Sequence, residues 1–115
     1  MELTLLAPGT DDWFEPDDHF GVRSHWIVEA APDARVQLCE MDVAGSAASH
    51  VHELEQQVFH VMAGQLEVTD GRGTDVVVRA GQSLLIPAGV PHATRNQGSE
   101  VCRYLVVTSR SSDAT

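Results

Sequence analysis

The stretch His50-Val-His52-Glu-Leu-Glu-Gln-Gln57-Val-Phe-His60-Val-Met-Ala-Gly64 does most to confine what this chain can fold into. His50 and His52 stand two apart, and on an extended strand that spacing sends both imidazoles out of one face toward a common point. Glu53-Leu54-Glu55 favours helix or turn and breaks the strand, after which Gln57 to Ala63 resumes a β-rich run. Parity in this second run puts Gln57, Phe59 and Val61 on one face and Val58 and His60 on the other. The predicted result is a hairpin-like unit whose inner face offers two imidazoles and one amide oxygen to a metal ion.

A second stretch answers the first: Gly81-Gln-Ser-Leu-Leu-Ile-Pro87-Ala-Gly89-Val-Pro91-His92-Ala-Thr-Arg-Asn96. A short apolar strand, Ser83 to Ile86, runs into a turn in which two prolines fix φ and a glycine permits a tight bend. That turn delivers His92 at the start of the next strand.

The two stretches resemble the paired motifs of the cupin superfamily, small antiparallel β-barrels that carry a metal among inward side chains. The family's first motif is a glycine, His-x-His, then a glutamate and a further glycine, and here it reads Gly45, His50, His52, Gln57, Gly64. Its second is matched in full by Gly81, Pro87, Gly89, His92 and Asn96. The chain departs from the pattern twice. Gly45 is one residue nearer His50 than usual, which a bulge or loop can absorb, and Gln57 replaces the usual metal-binding glutamate. Cupins with three His and a Gln resemble this site more closely; they include sugar-uronate isomerising proteins and some polyketide cyclases. The resemblance implies an all-β jelly-roll barrel, a metal held by His50, His52, Gln57 and His92, and a homodimer.

The 115 residues make one domain over 1–115. Seventeen acidic and seven basic side chains give a net charge of −10, so nucleic acid and anionic membranes are excluded as expected partners, leaving a small-molecule substrate. All seven basic residues are Arg, which rules out Schiff-base chemistry through a lysine. The N-terminus lacks the basic start and apolar length of a secretion signal, and no apolar run approaches membrane-spanning length. A cytoplasmic location is expected, with Cys39 and Cys102 as reduced core thiols.

In chain order, residues 1–20 are read as a short strand, Leu3 to Leu6, and a loop holding Trp13, Phe14 and Phe20, acting as a barrel lid or a dimer contact. His19 and His25 fall outside both motifs and are read as surface or satisfied histidines. Strands are predicted over Ser24 to Ala30 and Arg35 to Val43, split by the turn Ala31-Pro32-Asp33. Cys39, Met41 and Val43 share the face expected to line the cavity, with Leu38, Glu40 and Asp42 opposite; the reverse orientation would bring Glu40 to the metal as a base. Gly45 to Ser49 is read as a flexible approach. Leu66 to Thr69 leads into the hairpin turn Asp70-Gly71-Arg-Gly73, and Asp75 to Arg79 returns with the core run Val76-Val-Val78. After a turn at Gln97-Gly98-Ser99, the last strand alternates Val101, Arg103, Leu105 and Val107 against Cys102, Tyr104 and Val106. Residues 109–115 are expected to fray. About nine short strands punctuated by Gly and Pro, without a helix signal, indicate an all-β barrel or sandwich.

Burying several polar side chains without partners would cost on the order of 1 to 3 kcal/mol each, which favours a metal as their common partner. His60 has the wrong parity to join them. A neutral donor set leaves the full 2+ charge on the metal and makes it a stronger Lewis acid, suited to stabilising an enolate. Imidazole and amide oxygen suit Fe, Zn, Ni, Mn or Cu alike. The expected activity is Lewis-acid isomerisation or cyclisation of a small carbonyl or hydroxy compound. The alternatives are an Fe(II) dioxygenase and a non-enzymatic ligand-binding cupin. Tyr104, Arg103, Glu40 and Arg23 are the candidate catalytic side chains, and parity lets at most one of Arg103 and Tyr104 face inward.

Overall fold

The computed structural model describes residues 3–7, 12–29 and 33–111. Its strands are β1 His19–Val28, β2 Ala34–His50, β3 Glu55–Ala63, β4 Gln65–Thr69, β5 Asp75–Arg79, β6 Ser83–Ile86, β7 His92–Arg95 and β8 Cys102–Arg110. Every pairing is antiparallel. The order β5-β4-β7-β2-β8-β3-β6, with β1 also paired to β2, wraps into a nearly closed barrel, and no helix occurs among the described residues. The all-β barrel read from the sequence is the fold.

The long strand β2 organises the barrel because it changes partner along its length. Its first half pairs with β8 from Ala34↔Ser109 to Met41↔Cys102, and its second half pairs with β7 from Ser46↔Arg95 to His50↔His92. Where β7 and β8 part company, the buried Asn96 bridges the gap: its amide nitrogen donates to the carbonyls of Met41 and Glu100 at 3.1 and 2.9 Å. Gly45 lies at the same junction, where an added Cβ would meet Met41 Cγ at 2.7 Å and the Asp42 carbonyl at 2.9 Å. Gly64, at the β3–β4 turn, has φ +74° and would bring a Cβ to 2.7 Å from the Val101 carbonyl. Two glycines of the first motif are therefore required by backbone packing rather than by chemistry.

Strand parity sorts the side chains. Met41, Val61, Leu66 and Cys102 are fully buried and plug one end of the barrel, each such apolar side chain contributing about 1.5–3 kcal/mol. Val78, Ile86, Phe59, Tyr104 and Val106 extend this core. Both cysteines are buried free thiols.

Several boundaries differ from the sequence expectations. Residues 3–7 form no strand, and Leu3, Leu5 and Leu6 are exposed, because an apolar run makes a strand only where a neighbour pairs with it. β1 begins at His19, and β2 runs on through Gly45–Ser49 to His50, since β7 supplies the hydrogen bonds that small side chains alone do not predict. Val43 is exposed, and Ala44 beside it takes a left-handed φ of 65° that breaks the alternation. Of the Val76-Val-Val78 run only Val78 is core; Val76 shares its face, but β5 ends the sheet order and leaves Val76 exposed. Ser109 and Arg110 belong to β8 instead of fraying, held by Ala34 and Glu55 across the sheet. Residues 112–115, and Ala31 and Pro32 of the expected turn, lie outside the described residues.

Candidate metal centre

At the barrel end opposite the apolar plug, β2, β7 and β3 deliver polar side chains to one place. His50 closes β2 and His92 opens β7 directly across from it, the two rings 4.4 Å apart between centroids. His52 follows, with Val51 between them turned outward, and its ring centroid lies 5.2 Å from that of His50. One ligand atom from each of His50, His52 and His92 falls within 4.8 Å of the others. The register shifts between Ala47 and His50, where β2 spends one residue more than β7; this bulge sits in the same stretch as the shortened Gly45–His50 spacing. Gln57, on the inner face of β3, is buried, and its Oε1 stands 3.0 Å from His92 Nε2.

Backbone and side-chain partners fix three of the donors, His50, His92 and Gln57. His50 Nδ1 and His92 Nδ1 each lie 3.0 Å from a carbonyl oxygen, of Ala48 and Val90 respectively. With Nδ1–H donated there, each ring turns its Nε2 lone pair to the cluster, the arrangement typical of metal-ligating histidines. The Gln57 amide nitrogen donates to Thr108 Oγ1 at 3.0 Å, which aims Oε1 at His92. The Phe59 ring meets His92 edge-on at 5.9 Å and limits its rotation.

His92 thus stands between two carbonyl oxygens, and a neutral imidazole has one N–H to give. With the Gln57 amide so oriented, one lone pair is left facing an oxygen at 3.0 Å, a contact that a second proton, a cation, or an end-for-end turn of the amide against the Thr108 hydroxyl relieves. Burial, foremost, and the neighbouring His50 and His52 push the His92 pKa down, against the second proton. Two donors about 2.1 Å from one ion and at right angles stand about 3 Å apart, so the spacing fits adjacent ligands. The donor set fits a divalent metal.

Burial likewise lowers the His52 pKa, helped by His50 and Arg35 and opposed by Glu55. In the unfolded chain both imidazoles take up protons around 6.5, whereas the folded metal-free protein resists them until lower pH. The unfolded state then binds more protons, and stability falls as pH falls through that window. The thermal midpoint of metal-free protein should be flat above about pH 7 and drop as the pH falls below about 6.5. A His52→Gln/His92→Gln double variant should flatten the drop; an unchanged slope would refute the assignment.

The cluster opens into a cavity of about 290 Å³, also lined by Ser24, Trp26, Arg35, Gln37, Cys39, Phe59 and Tyr104 and by residues 16–19. Of the candidate catalytic residues, Tyr104 lines this cavity, and burial holds its phenol well above the usual range, so it is a donor and not a base. Arg103 is exposed on the outer side of β8, as parity requires. Glu40 also faces outward, its carboxylate 3.2 Å from Arg23, which is paired with Asp42 as well. Glu40, Arg103 and Arg23 are therefore not part of the cavity. Cys39 lines it, but burial pushes its thiol up to about 11 and that of Cys102 up to about 12, leaving both protonated. His60 hydrogen-bonds Ser83 Oγ at 2.7 Å on the outer face, as its parity implies.

Of the two histidines outside the motifs, His25 differs from expectation. His19 is partly exposed and lines the cavity, 6.1 Å from His50 between ring centroids, its Nδ1 satisfied by the Asp17 carbonyl at 2.7 Å. No motif spacing marks it; it arrives because β1 starts early and pairs His19 with Ala47. His25 is buried under the edge of Trp13, and its Nδ1 has no hydrogen-bond partner among the described residues.

Fold and cluster together define a small antiparallel barrel with an imidazole-lined candidate metal centre. The chain belongs to the cupin family: the cupin domain matches residues 37–108. Comparison with curated protein sequences gives no match. Among solved structures, it is similar to a predicted oxalate decarboxylase from Thermotoga maritima, with a TM-score of 0.81 at 19% identity, covering 94% of this chain and 100% of the other. KdgF from Halomonas sp. gives 0.77 at 18% identity, covering 96% and 97%. The polyketide cyclase RemF from Streptomyces resistomycificus gives 0.73 at 21% identity, covering 99% and 89%. At these identities the likeness carries the fold alone.

Proposed function

We propose that this cupin is a metal-dependent enzyme that isomerises or cyclises a small carbonyl or hydroxy compound by Lewis-acid catalysis. The observation that carries the reading is the neutral donor set, His50, His52, His92 and Gln57, of which His50, His52 and Gln57 line an open cavity and His92 is buried beside them. A divalent ion held by these four side chains supplies undiminished positive charge to a ligand oxygen. Thr108 holds the Gln57 oxygen in position, and the Ala48 and Val90 carbonyls hold the tautomers of His50 and His92. His19 keeps its proton at Nδ1 on the Asp17 carbonyl, and its Nε2 has no hydrogen bond to the described residues; it is the proton acceptor in this reading. Tyr104 donates a hydrogen bond from the cavity wall, and Phe59 and Trp26 exclude water. The comparison with a polyketide cyclase is consistent with such chemistry.

We further infer a homodimer, supported by the outward Phe20, Leu54 and Leu85 side chains. A cytoplasmic location accords with two free thiols.

The test is solvent deuterium exchange at carbon next to the carbonyl of 2-oxo acids and keto sugar acids, followed by NMR with protein loaded with zinc, nickel, manganese or iron. Exchange without oxygen uptake is expected, falling about 10- to 100-fold in Gln57→Glu as the added carboxylate dampens the metal's charge. Oxygen consumption by the iron form would transfer the protein to the dioxygenases. Tight binding with no exchange would make it a ligand-binding cupin.

A further inference from the structure

Seven arginines serve a chain of net charge −10, and among them only Arg35 lines the metal-centre cavity. Its place follows from register. Arg35 on β2 lies opposite Thr108 on β8, which lies opposite Gln57 on β3, so the three form one rung across the inner face. Arg35 and Gln57 are thus two strand spacings apart, roughly 10 Å between backbones. Thr108 already bonds the Gln57 amide, which ties the middle of the rung to the metal end.

The guanidinium engages Glu55 through Nη2 alone, 3.0 Å from each carboxylate oxygen. Nε and Nη1 make no hydrogen bond to the described residues. The pair is about one third exposed on each side, and ion pairs of that exposure contribute little to folding, so stability does not account for a charge here. The carboxylates that line the cavity, Asp17 and Asp18, belong to the exposed segment before β1. The positive field of Arg35 already reaches His52.

Resting on the metal-centre reading, we propose that Arg35 anchors a second, remote carboxylate of the ligand, so that the site takes compact oxygen chelators carrying a carboxylate at the far end. One end of such a molecule meets the metal beside Gln57, and the other displaces Glu55 from the planar fork of Arg35, which is shaped for bidentate carboxylate binding. The cavity, at about 290 Å³, admits a ligand of that modest size.

The experiment uses cobalt-loaded protein, whose visible absorption reports ligand binding, with two probes: 2-oxoglutarate, and 2-oxopentanoate, which replaces the far carboxylate by a methyl group. Wild type should prefer the dicarboxylate by about tenfold or more, the worth of one charge-assisted bidentate pair. Arg35→Gln should abolish that preference and leave 2-oxopentanoate binding within about twofold. Glu55→Gln, which frees the fork, should tighten 2-oxoglutarate several-fold without affecting the monoacid; a merely structural ion pair predicts no gain. No preference in wild type, or equal losses for both probes in Arg35→Gln, would overturn the assignment. Cobalt content is measured on each sample. Failure of wild type to hold cobalt would overturn the metal centre and this inference with it, whereas full cobalt with no Arg35 effect would overturn the inference alone.

Discussion

Replacing His92 by alanine is expected to empty the metal centre. Elemental analysis of wild-type protein should give close to one equivalent of iron, zinc, nickel or manganese, and the variant less than about a tenth of that under the same conditions, an affinity loss of at least about 100-fold. The size of the effect follows from position. His92 is the buried member of the trio, its ring centroid is 4.4 Å from that of His50, and its Nε2 meets the Gln57 oxygen at 3.0 Å. Alanine removes one donor and also the group against which Gln57 is set. Gln57→Ala should lose less, about tenfold, because an amide oxygen is a weaker donor than imidazole and His50 and His92 keep their backbone partners. His60→Ala, on the outer face with Ser83, should keep its metal in full. Wild-type occupancy in His92→Ala would show that the three imidazoles serve the barrel and not an ion.

How much of this was legible in the sequence divides along a physical line. Local rules sufficed where a side chain's direction is set by its own strand. The parity of Gln57, Phe59 and Val61, the outward turn of His60, the limits Ser83–Ile86 of β6 and the delivery of His92 by a Pro-Gly turn are all as read. Local rules failed where a partner strand decides. Small residues from Gly45 to Ser49 look flexible in isolation, yet β7 pairs with them and carries β2 through to His50. His19 has no distinguishing neighbours in sequence, and only its pairing with Ala47 brings it to the cavity. The inward turn of Cys39, and so the outward turn of Glu40, was one of two readings that alternation permits; pairing with Tyr104 on β8 selects between them. Arg35 is a further case. Its inward parity was available, but its alignment with Gln57 depends on the registers of two other strands.

Asn96→Ala should produce the largest loss of stability of any substitution away from the cavity, about 2–4 kcal/mol. Asn96 is 1% exposed and makes three side-chain hydrogen bonds: two from its amide nitrogen to the Met41 and Glu100 carbonyls, and one accepted by Oδ1 from the Gly98 amide at 2.9 Å. Each contributes about 1 kcal/mol, and alanine also removes the side-chain partner of the Met41 carbonyl at a buried point. Asp is close in size but replaces the donor with an acceptor opposite two carbonyls, so Asn96→Asp should be at least as damaging. The midpoint of thermal unfolding should fall by roughly 10 °C or more in both variants, measured by circular dichroism on metal-free protein. Because the staple lies at the junction behind the cavity and touches none of the four donors, metal affinity of the folded fraction should change little. A variant that kept its midpoint but lost its metal would reverse the roles assigned here, making Asn96 a part of the centre and not of the frame that carries it.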